Sequence, residues 1–182
     1  MKAIALAAIS GCYLMESLAL DGCSAGRNHT PDSALERNFR DHEREFEALL
    51  HAVEGDSKLT MIGPGCLRYG GRQVKVYGDD ISPIYTAGFS QEAWIGYQKQ
   101  LGALGLKGGV LKSEGRVEFR VDPGSIANGD SYKGYEYRAT PPQRLRESLD
   151  GFRISEGDRS QFGGYVAYKH LKGRWYLYIF AN

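Results

Sequence analysis

Two stretches near the carboxyl end of the sequence constrain its fold most. Residues 165–169 and 175–180 are rich in aromatic and β-branched side chains, which favour strands. Lys172-Gly173 lies between them and suits a tight turn. The pattern predicts a β-hairpin, and therefore a fold that contains antiparallel strands.

Two helices are predicted upstream of this hairpin. Ser33 and Glu36 form a Ser-x-x-Glu pattern that resembles a capping box, and the helix then runs to Val53. Ser90 is a suitable N-cap for a second helix that runs to Leu104. The apolar side chains of the first helix form one stripe at helical spacing, and they are Leu35, Phe39, Phe46, Leu49, Leu50 and Val53.

Strand patterns separate and follow these helices. Residues 58–62 and 72–77 are short strand candidates, and residues 116–121 and 132–138 alternate with a period of two. The order is helix, strands, helix, strands, without the βαβ rhythm of a parallel sheet. The sequence therefore predicts an α+β fold: an antiparallel β-sheet of about five to six strands with two main helices packed on one face.

The amino end of the sequence resembles an export signal. Lys2 precedes an apolar run that is interrupted by Ser10, Gly11 and Glu16. The run is too interrupted for a permanent membrane span, which needs about 20 mostly apolar residues. We expect residues 1–22 to be a lipoprotein-like signal peptide, residues 23–36 a flexible tether, and residues 37–182 a single globular α+β domain.

Two cysteines are candidates for lipidation. Cys23 stands at a suitable distance from Met1 and precedes a small, polar stretch typical of a tether, but Asp21 fits the recognition pattern poorly. Cys12 follows residues that fit better by type, but it comes early. We expect Cys23 to carry the lipid, with Cys12 as the alternative. Cys66 is then left alone, and we expect a small buried or half-buried thiol.

This interpretation places the protein in the cell envelope, where an N-terminal lipid anchors it to the membrane and the domain faces the periplasm or the exterior. If the amino end is not a signal, the protein is cytoplasmic. The formal net charge is +1, without a strong asymmetry of sign, which argues against a nucleic-acid partner. The 24 glycines and 12 tyrosines favour a β-rich fold.

Familiar catalytic and metal-binding motifs are missing from the sequence. It contains no His-Glu-x-x-His pair, EF-hand loop, P-loop or Gly-x-Ser-x-Gly elbow. The histidines and glutamates of residues 42–51 have the wrong order or spacing for a metal site and indicate a solvated helix face. We expect no cofactor and no metal, and the sequence favours a protein that is not an enzyme.

Aromatic and basic side chains interleave on three of the predicted strands. On one sheet face they would form a platform for a peptide, a sugar or a single strand of nucleic acid, of which the predicted export disfavours the last. Alternatively, every second aromatic residue fills the core and the others cover the outer face. The residues of this possible binding face are Tyr135, Tyr137, Tyr168, Trp175, Tyr176, Tyr178, Lys133 and Arg138.

Several short segments between residues 38 and 180 carry a family resemblance. They are Phe39 with Phe46-x-x-Leu49-Leu50, and residues 104–110, 133–137, 148–150 and 173–178. Together they resemble a family of small, uncharacterised bacterial proteins, often lipoproteins, with a Trp-Tyr-Leu-Tyr strand near the carboxyl end. The resemblance implies no activity and no catalytic residues.

Three hypotheses on function follow. The leading one is a non-catalytic, lipid-anchored envelope protein that binds an unknown protein or small ligand. The second is a small hydrolase with a site built from dispersed residues such as His51, His170, Asp79 or Asp80, because catalytic triads are set by geometry rather than by sequence order. The third is an inhibitor or immunity-type protein that blocks another macromolecule through an exposed aromatic patch.

Overall fold

A computed structural model describes residues 29–78, 80–122, 131–151 and 165–181. The predicted signal peptide, Cys12, Cys23 and Asp79 lie outside these residues. The helices are α1 (Asp32–Asp41), α2 (Glu43–Gly55), α3 (Ser82–Thr86) and α4 (Gln91–Ala103). The strands are β1 (Leu59–Gly63), β2 (Cys66–Tyr69), β3 (Arg72–Lys75), β4 (Gly109–Ser113), β5 (Arg116–Arg120), β6 (Ser131–Arg138), β7 (Tyr165–Lys172) and β8 (Trp175–Ala181).

All eight strands form one sheet in the order β3-β2-β1-β4-β5-β6-β8-β7, and every neighbouring pair is antiparallel. The fold is α+β, but the expectation of five to six strands and two main helices is wrong. The sequence analysis missed β2 and β4, which are only four and five residues long. It also missed α3, a five-residue helix with Pro83 in its first turn.

The β2–β3 hairpin shows why these short elements form. Gly70 and Gly71 connect the strands with φ angles of 55° and 78°, the left-handed conformations of a two-residue hairpin turn. A residue with a Cβ atom adopts this conformation only at a cost. The glycine pair therefore folds the chain back directly before residues 72–77, which were predicted as a strand without its partner β2.

The first predicted helix is two helices with a kink at His42, whose φ and ψ are −126° and 26°. Its apolar stripe from Leu35 to Val53 is buried as predicted. Helix α1 begins at Asp32, inside the range assigned to the tether. The buried Asp32 carboxylate is ion-paired to the sheet, which fixes the chain there.

The second predicted helix is confirmed as α4. Ser90 caps it, since the Ser90 Oγ accepts a hydrogen bond of 3.1 Å from the Ala93 backbone N–H. Trp94 and Leu101 are buried on its inner side. None of the helices in the described ranges is long and apolar enough to cross a membrane.

The core lies between the helices and one face of the sheet. Its centre is aromatic: the Phe46 ring is 4.6 Å from the Tyr135 ring, 5.9 Å from that of Phe119 and 5.9 Å from that of Trp175. Phe39 extends the cluster from α1, 5.2 Å from Trp175. These residues come from two helices and three strands, so the cluster joins the two layers of the fold.

Candidate functional site

The structure divides the predicted aromatic binding face between the two faces of the sheet. Side chains of a strand alternate between faces, and the register pairs Tyr137 with Trp175 and Glu136 with Tyr176. Four of the predicted residues point toward the helices, namely Lys133, Tyr135, Tyr137 and Trp175. The other four lie on the opposite face, namely Arg138, Tyr168, Tyr176 and Tyr178.

Lys133, on the helix side, belongs to a buried ion-pair network. Its Nζ lies 2.6 Å from Asp32 Oδ1 and 2.9 Å from Asp150 Oδ1. Asp32 Oδ2 also accepts a hydrogen bond of 2.8 Å from the Leu149 N–H and lies 3.3 Å from Lys169 Nζ. Burial acts to raise the pKa of Asp32, but Lys133 and the hydrogen bonds outweigh it and lower that pKa. The network attaches helix α1 to β6 and β7.

The other four residues contribute to the outer face, by which we mean the face of β5–β8 turned away from the helices. Tyr168, Tyr176 and Tyr178 form its apolar cluster and are only 6%, 5% and 2% exposed. Burial raises the pKa of Tyr168 to about 12. Buried rings like these offer little area to a ligand in this arrangement, and the aromatic binding face stays a prediction.

The outer face also buries two glutamates that sequence reasoning missed. Glu118 of β5 and Glu136 of β6 are directly opposite each other in the register, and they are 5% and 1% exposed. Arg116, Arg120 and Arg138 surround them. The alternation of charged and apolar residues in β5 was visible in the sequence, but such a pattern ordinarily indicates a solvated face.

Among the described residues of the hydrolase hypothesis, His51, His170 and Asp80 make no hydrogen bond or ion pair with one another. His51 is exposed on α2, and the His170 Nε2 lies 3.1 Å from the carbonyl oxygen of Gly173. Asp80 accepts a hydrogen bond of 3.0 Å from the Ser82 N–H and so stabilises the start of α3. Asp79 lies outside the described residues. Within them, no three His, Cys, Asp or Glu side chains group as metal ligands do.

Cys66 is a free, half-buried thiol at the start of β2. Burial raises its pKa, and the nearby Lys75 opposes this only in part. A raised pKa disfavours the thiolate, which is the nucleophilic form. Cys66 is therefore poorly suited to covalent catalysis.

The two edges of the sheet differ. At the β7 edge, the Tyr168 N–H donates to the Arg144 carbonyl over 2.9 Å, and the Arg146 N–H donates to the Tyr168 carbonyl over 2.7 Å. Leu145 thereby forms a parallel bridge with Tyr168. This edge is covered by a segment of the chain itself.

At the β3 edge, the outer backbone groups face away from the sheet. The Val76 N–H donates to the Gly65 carbonyl over 2.8 Å, so Val76 directs its backbone groups toward β2. Backbone direction alternates along a strand, hence those of Gln73 and Lys75 point outward. Among the described residues, no backbone group bonds to them from the outside. Within the part of the chain that the structure describes, this edge is therefore open to another strand.

A groove of about 700 Å³ runs between this edge and helix α3. Val74, Pro83 and Ala87 supply apolar surface, and Arg72 and Lys75 are its charged residues. Both charged residues are exposed. The groove therefore combines an unpaired backbone, an apolar floor and positive charge.

Exposed apolar side chains gather around the same end of the molecule. Tyr77 is 76% exposed, Tyr85 45% and Ile95 54%. Ile95 and the buried Trp94 line a second groove, of about 520 Å³, on the other side of the segment that follows β3. Exposed apolar surface beside an open edge is typical of protein interaction sites. We call β3 with its flanking groove the edge site.

Comparison with known proteins adds no relative: no family model, curated protein or solved structure matches this chain. The resemblance to small bacterial lipoproteins therefore stays a prediction. The geometry of the edge site is the basis for the proposal on function.

Proposed function

We propose that the protein is a non-catalytic interaction protein whose edge site binds an extended, acidic segment of a partner protein as an additional strand. The observation that carries this proposal is the outward-facing backbone of Gln73 and Lys75, which has no partner among the described residues. Strand addition to a sheet edge is a common mode of peptide recognition. It joins the leading hypothesis of a binding role with the inhibitor or immunity-type alternative.

The backbone of β3 supplies the affinity. Gln73 and Lys75 each offer one N–H donor and one carbonyl acceptor in the spacing of an antiparallel or parallel ladder. Each new hydrogen bond contributes about 0.5–1.5 kcal/mol. Side chains of the added strand that face α3 would contact Val74, Pro83 and Ala87.

Charge selects the partner. Arg72 and Lys75 are the charged side chains of the groove, and no acidic side chain among the described residues lines it. Positive charge on an edge strand disfavours pairing with a second copy of the same edge, since like charges would face each other. It attracts a segment in which Asp or Glu alternates with apolar residues.

The test uses a short synthetic peptide in which Glu and Val alternate, with fluorescence anisotropy to measure affinity and NMR to locate the amides that shift. Gln73→Pro removes the outward N–H, whereas the matched control Gln73→Ala keeps it. We expect shifts in residues 72–75 and about tenfold weaker binding for Gln73→Pro. Equal affinities of the two variants, or shifts confined to other strands, would contradict the proposal.

A charge-reversal variant tests the proposal independently, in case Gln73→Pro does not fold. In Lys75→Glu the backbone is unchanged, and the side chain is exposed. We expect this variant to lose affinity for the Glu-Val peptide and to gain affinity for a Lys-Val peptide. An unchanged preference would remove charge as the selecting feature.

We also propose that the protein acts in the cell envelope after export and lipidation at Cys23. The apolar run after Lys2 and the polar stretch after Cys23 support this proposal. Intact-mass measurement of protein from the membrane fraction, with Cys23→Ser and Cys12→Ser as the paired variants, tests it. We expect only Cys23→Ser to abolish lipid attachment. Unmodified wild-type protein that retains Met1 in the cytosol would disprove the placement.

A further inference from the structure

The outer face holds a pair of carboxyl groups in an arrangement that resists double ionisation. Glu118 and Glu136 are directly opposite each other on neighbouring antiparallel strands, and both are buried. Opposite residues in such a pair have Cβ atoms about 4.5–5.5 Å apart, and like charges there destabilise the sheet. Two negative charges at this separation need compensation from their surroundings.

That compensation is unequal. Arg120 holds Glu118 Oε2 with its Nε at 3.2 Å and its terminal nitrogen at 2.8 Å. Arg116 adds a contact of 3.5 Å to Glu118 Oε1, and the Tyr178 hydroxyl lies 3.5 Å from Oε2. Glu118 therefore has the contacts that an ionised carboxylate requires.

Glu136 is compensated less well. Its one cationic contact among the described residues is Arg138, whose Nε lies 3.2 Å from Oε1. Even so, Glu136 Oε1 accepts no hydrogen bond within the described residues, so the two groups are close but poorly aligned. The guanidinium of Arg138 also lies 5.0 Å from the centre of the Tyr168 ring, so Arg138 interacts with both Glu136 and Tyr168. An ionised Glu136 would be a buried charge with an incomplete set of partners.

We propose that the Glu118–Glu136 pair is a proton-binding site, which holds one proton on Glu136 and releases it as the surroundings become neutral to alkaline. The pKa of Glu136 is raised to about 7, chiefly by burial and also by Glu118, against the opposing effects of Arg138 and Arg116. The proton neutralises the less well compensated member of the pair.

Among the described residues, the charged and titratable groups that face Glu136 come from four strands. Two tyrosines adjacent to the pair have raised pKa values because of burial, so they stay neutral around pH 7. The groups are Arg116, Glu118 and Arg120 of β5, Tyr132 and Arg138 of β6, Tyr168 and His170 of β7, and Tyr176 and Tyr178 of β8. His170 is exposed at the rim, 5.3 Å from Tyr176 between ring centres.

Proton release weakens the sheet in a defined range. The pKa of Glu136 is about 7 in the folded chain, against an ordinary value of 4.5. A raised pKa means that the folded state binds the proton more tightly, so the stabilisation is complete below pH 4.5 and is lost as the pH rises to about 7. The unfolding equilibrium constant should rise on the order of 10²-fold over this range. The added charge lies between β5, β6 and β8, so we expect these strands to open first.

The first test is direct and needs no variant. NMR of the Glu136 side-chain carboxyl carbon, followed from about pH 4 to about pH 9, gives the midpoint of its titration. We expect a midpoint near neutral pH, accompanied by shifts in Glu118 and Tyr178. A midpoint in the ordinary range of glutamate would overturn the proposal.

The second test measures urea unfolding of wild type and Glu136→Gln over the same range. Glutamine resembles the protonated acid, so this variant should unfold with a weaker pH dependence and be more stable than wild type above neutral pH. The matched control is Glu114→Gln, at an exposed position in the β4–β5 turn. Because histidines ordinarily change charge in this range, the difference between wild type and variant is the deciding quantity. Parallel pH profiles for wild type and Glu136→Gln would refute the proposal.

Discussion

The two faces of the sheet each bury charged groups, but they do so with opposite electrostatics. On the helix side, Asp32 Oδ2 accepts hydrogen bonds from the Leu149 N–H and from Lys169. Lys133 lies 2.6 Å from Asp32 Oδ1, although Oδ1, like Glu136 Oε1, accepts no hydrogen bond within the described residues. On the outer face, Glu136 has a second carboxylate opposite it and one misaligned arginine beside it. The first arrangement favours the ionised acid, and the second favours the neutral acid.

The difference appears as a contrast in pH dependence. The lowered pKa of Asp32 stabilises the fold above its ordinary value of 3.8, and this stabilisation is lost as the pH falls through the lowered pKa. The raised pKa of Glu136 has the reverse sign, because its stabilisation is lost as the pH rises toward 7. The helix side therefore limits stability in acid, and the outer face limits it near neutrality.

The largest expected loss of stability comes from a substitution in the core on the helix side of the sheet. Phe46 is fully buried at the centre of the aromatic cluster. Phe46→Ala should lower the free energy of unfolding by about 3–5 kcal/mol, since it removes the ring and leaves a cavity. Urea unfolding measures the loss. His51→Ala, at an exposed position on the same helix, is the control and should change it by less than about 0.5 kcal/mol. A small loss for Phe46→Ala would place the core elsewhere.

A smaller effect tests the ion pairs on the helix side. Lys133→Met keeps most of the side-chain volume but removes the cation closest to Asp32. Asp32 then keeps only the more exposed Lys169 and its own hydrogen bonds. We expect a loss of about 3 kcal/mol near neutral pH, because a buried carboxylate loses its closest cation.

The comparison variant is Lys107→Met, since Lys107 is exposed. We expect it to unfold within about 0.5 kcal/mol of wild type. If Lys133→Met were as stable as Lys107→Met, the network would be dispensable and the contrast between the faces would rest on Glu136 alone.

The smallest expected effect concerns the outer face. The Tyr178 hydroxyl is 3.5 Å from Glu118 Oε2, a long contact. Tyr178→Phe keeps the buried ring, so thermal unfolding should show a loss of less than about 1 kcal/mol. Tyr77→Phe, at a 76% exposed position, is the reference and should have no effect. A loss comparable to that of Lys133→Met would mean that the hydroxyl is essential to Glu118.

The sequence predicted the elements whose signals are local and repeated. The stripe from Leu35 to Val53, the Ser90 cap and the hairpin turn at Gly173 are all present, because helix period, capping and turn geometry depend on neighbouring residues. The kink at His42 was missed, since the apolar stripe continues across it. Strand β2 was missed because Cys66–Tyr69 shows no alternation of apolar and polar residues, unlike residues 72–77, where Val74 and Val76 alternate with Gln73 and Lys75.

The candidate sites depend on pairings between distant residues. The juxtaposition of Glu118 and Glu136 follows from the β5–β6 register, which no local pattern specifies. The position of β3 at the edge follows from the order of strands in the sheet. The sequence does not specify that order, because the composition of each short strand is compatible with an edge position. The alternation of side chains along a strand could have shown that the predicted aromatic residues lie on two faces of the sheet. Tyr135 and Tyr137 lie on one face, and Glu136 lies on the other.

The position of β8 has a consequence for how the chain acquires its structure. Strand β8 lies between β6 and β7, although it follows both in sequence. A ribosome-bound chain that ends before Trp175 leaves the hydrogen-bonding edge of β6 vacant and lacks the Trp175, Leu177 and Ile179 side chains of the core. Completion of the fold must wait until residues 175–181 have emerged during synthesis. Until then the nascent protein lacks the strand that joins β6 to β7.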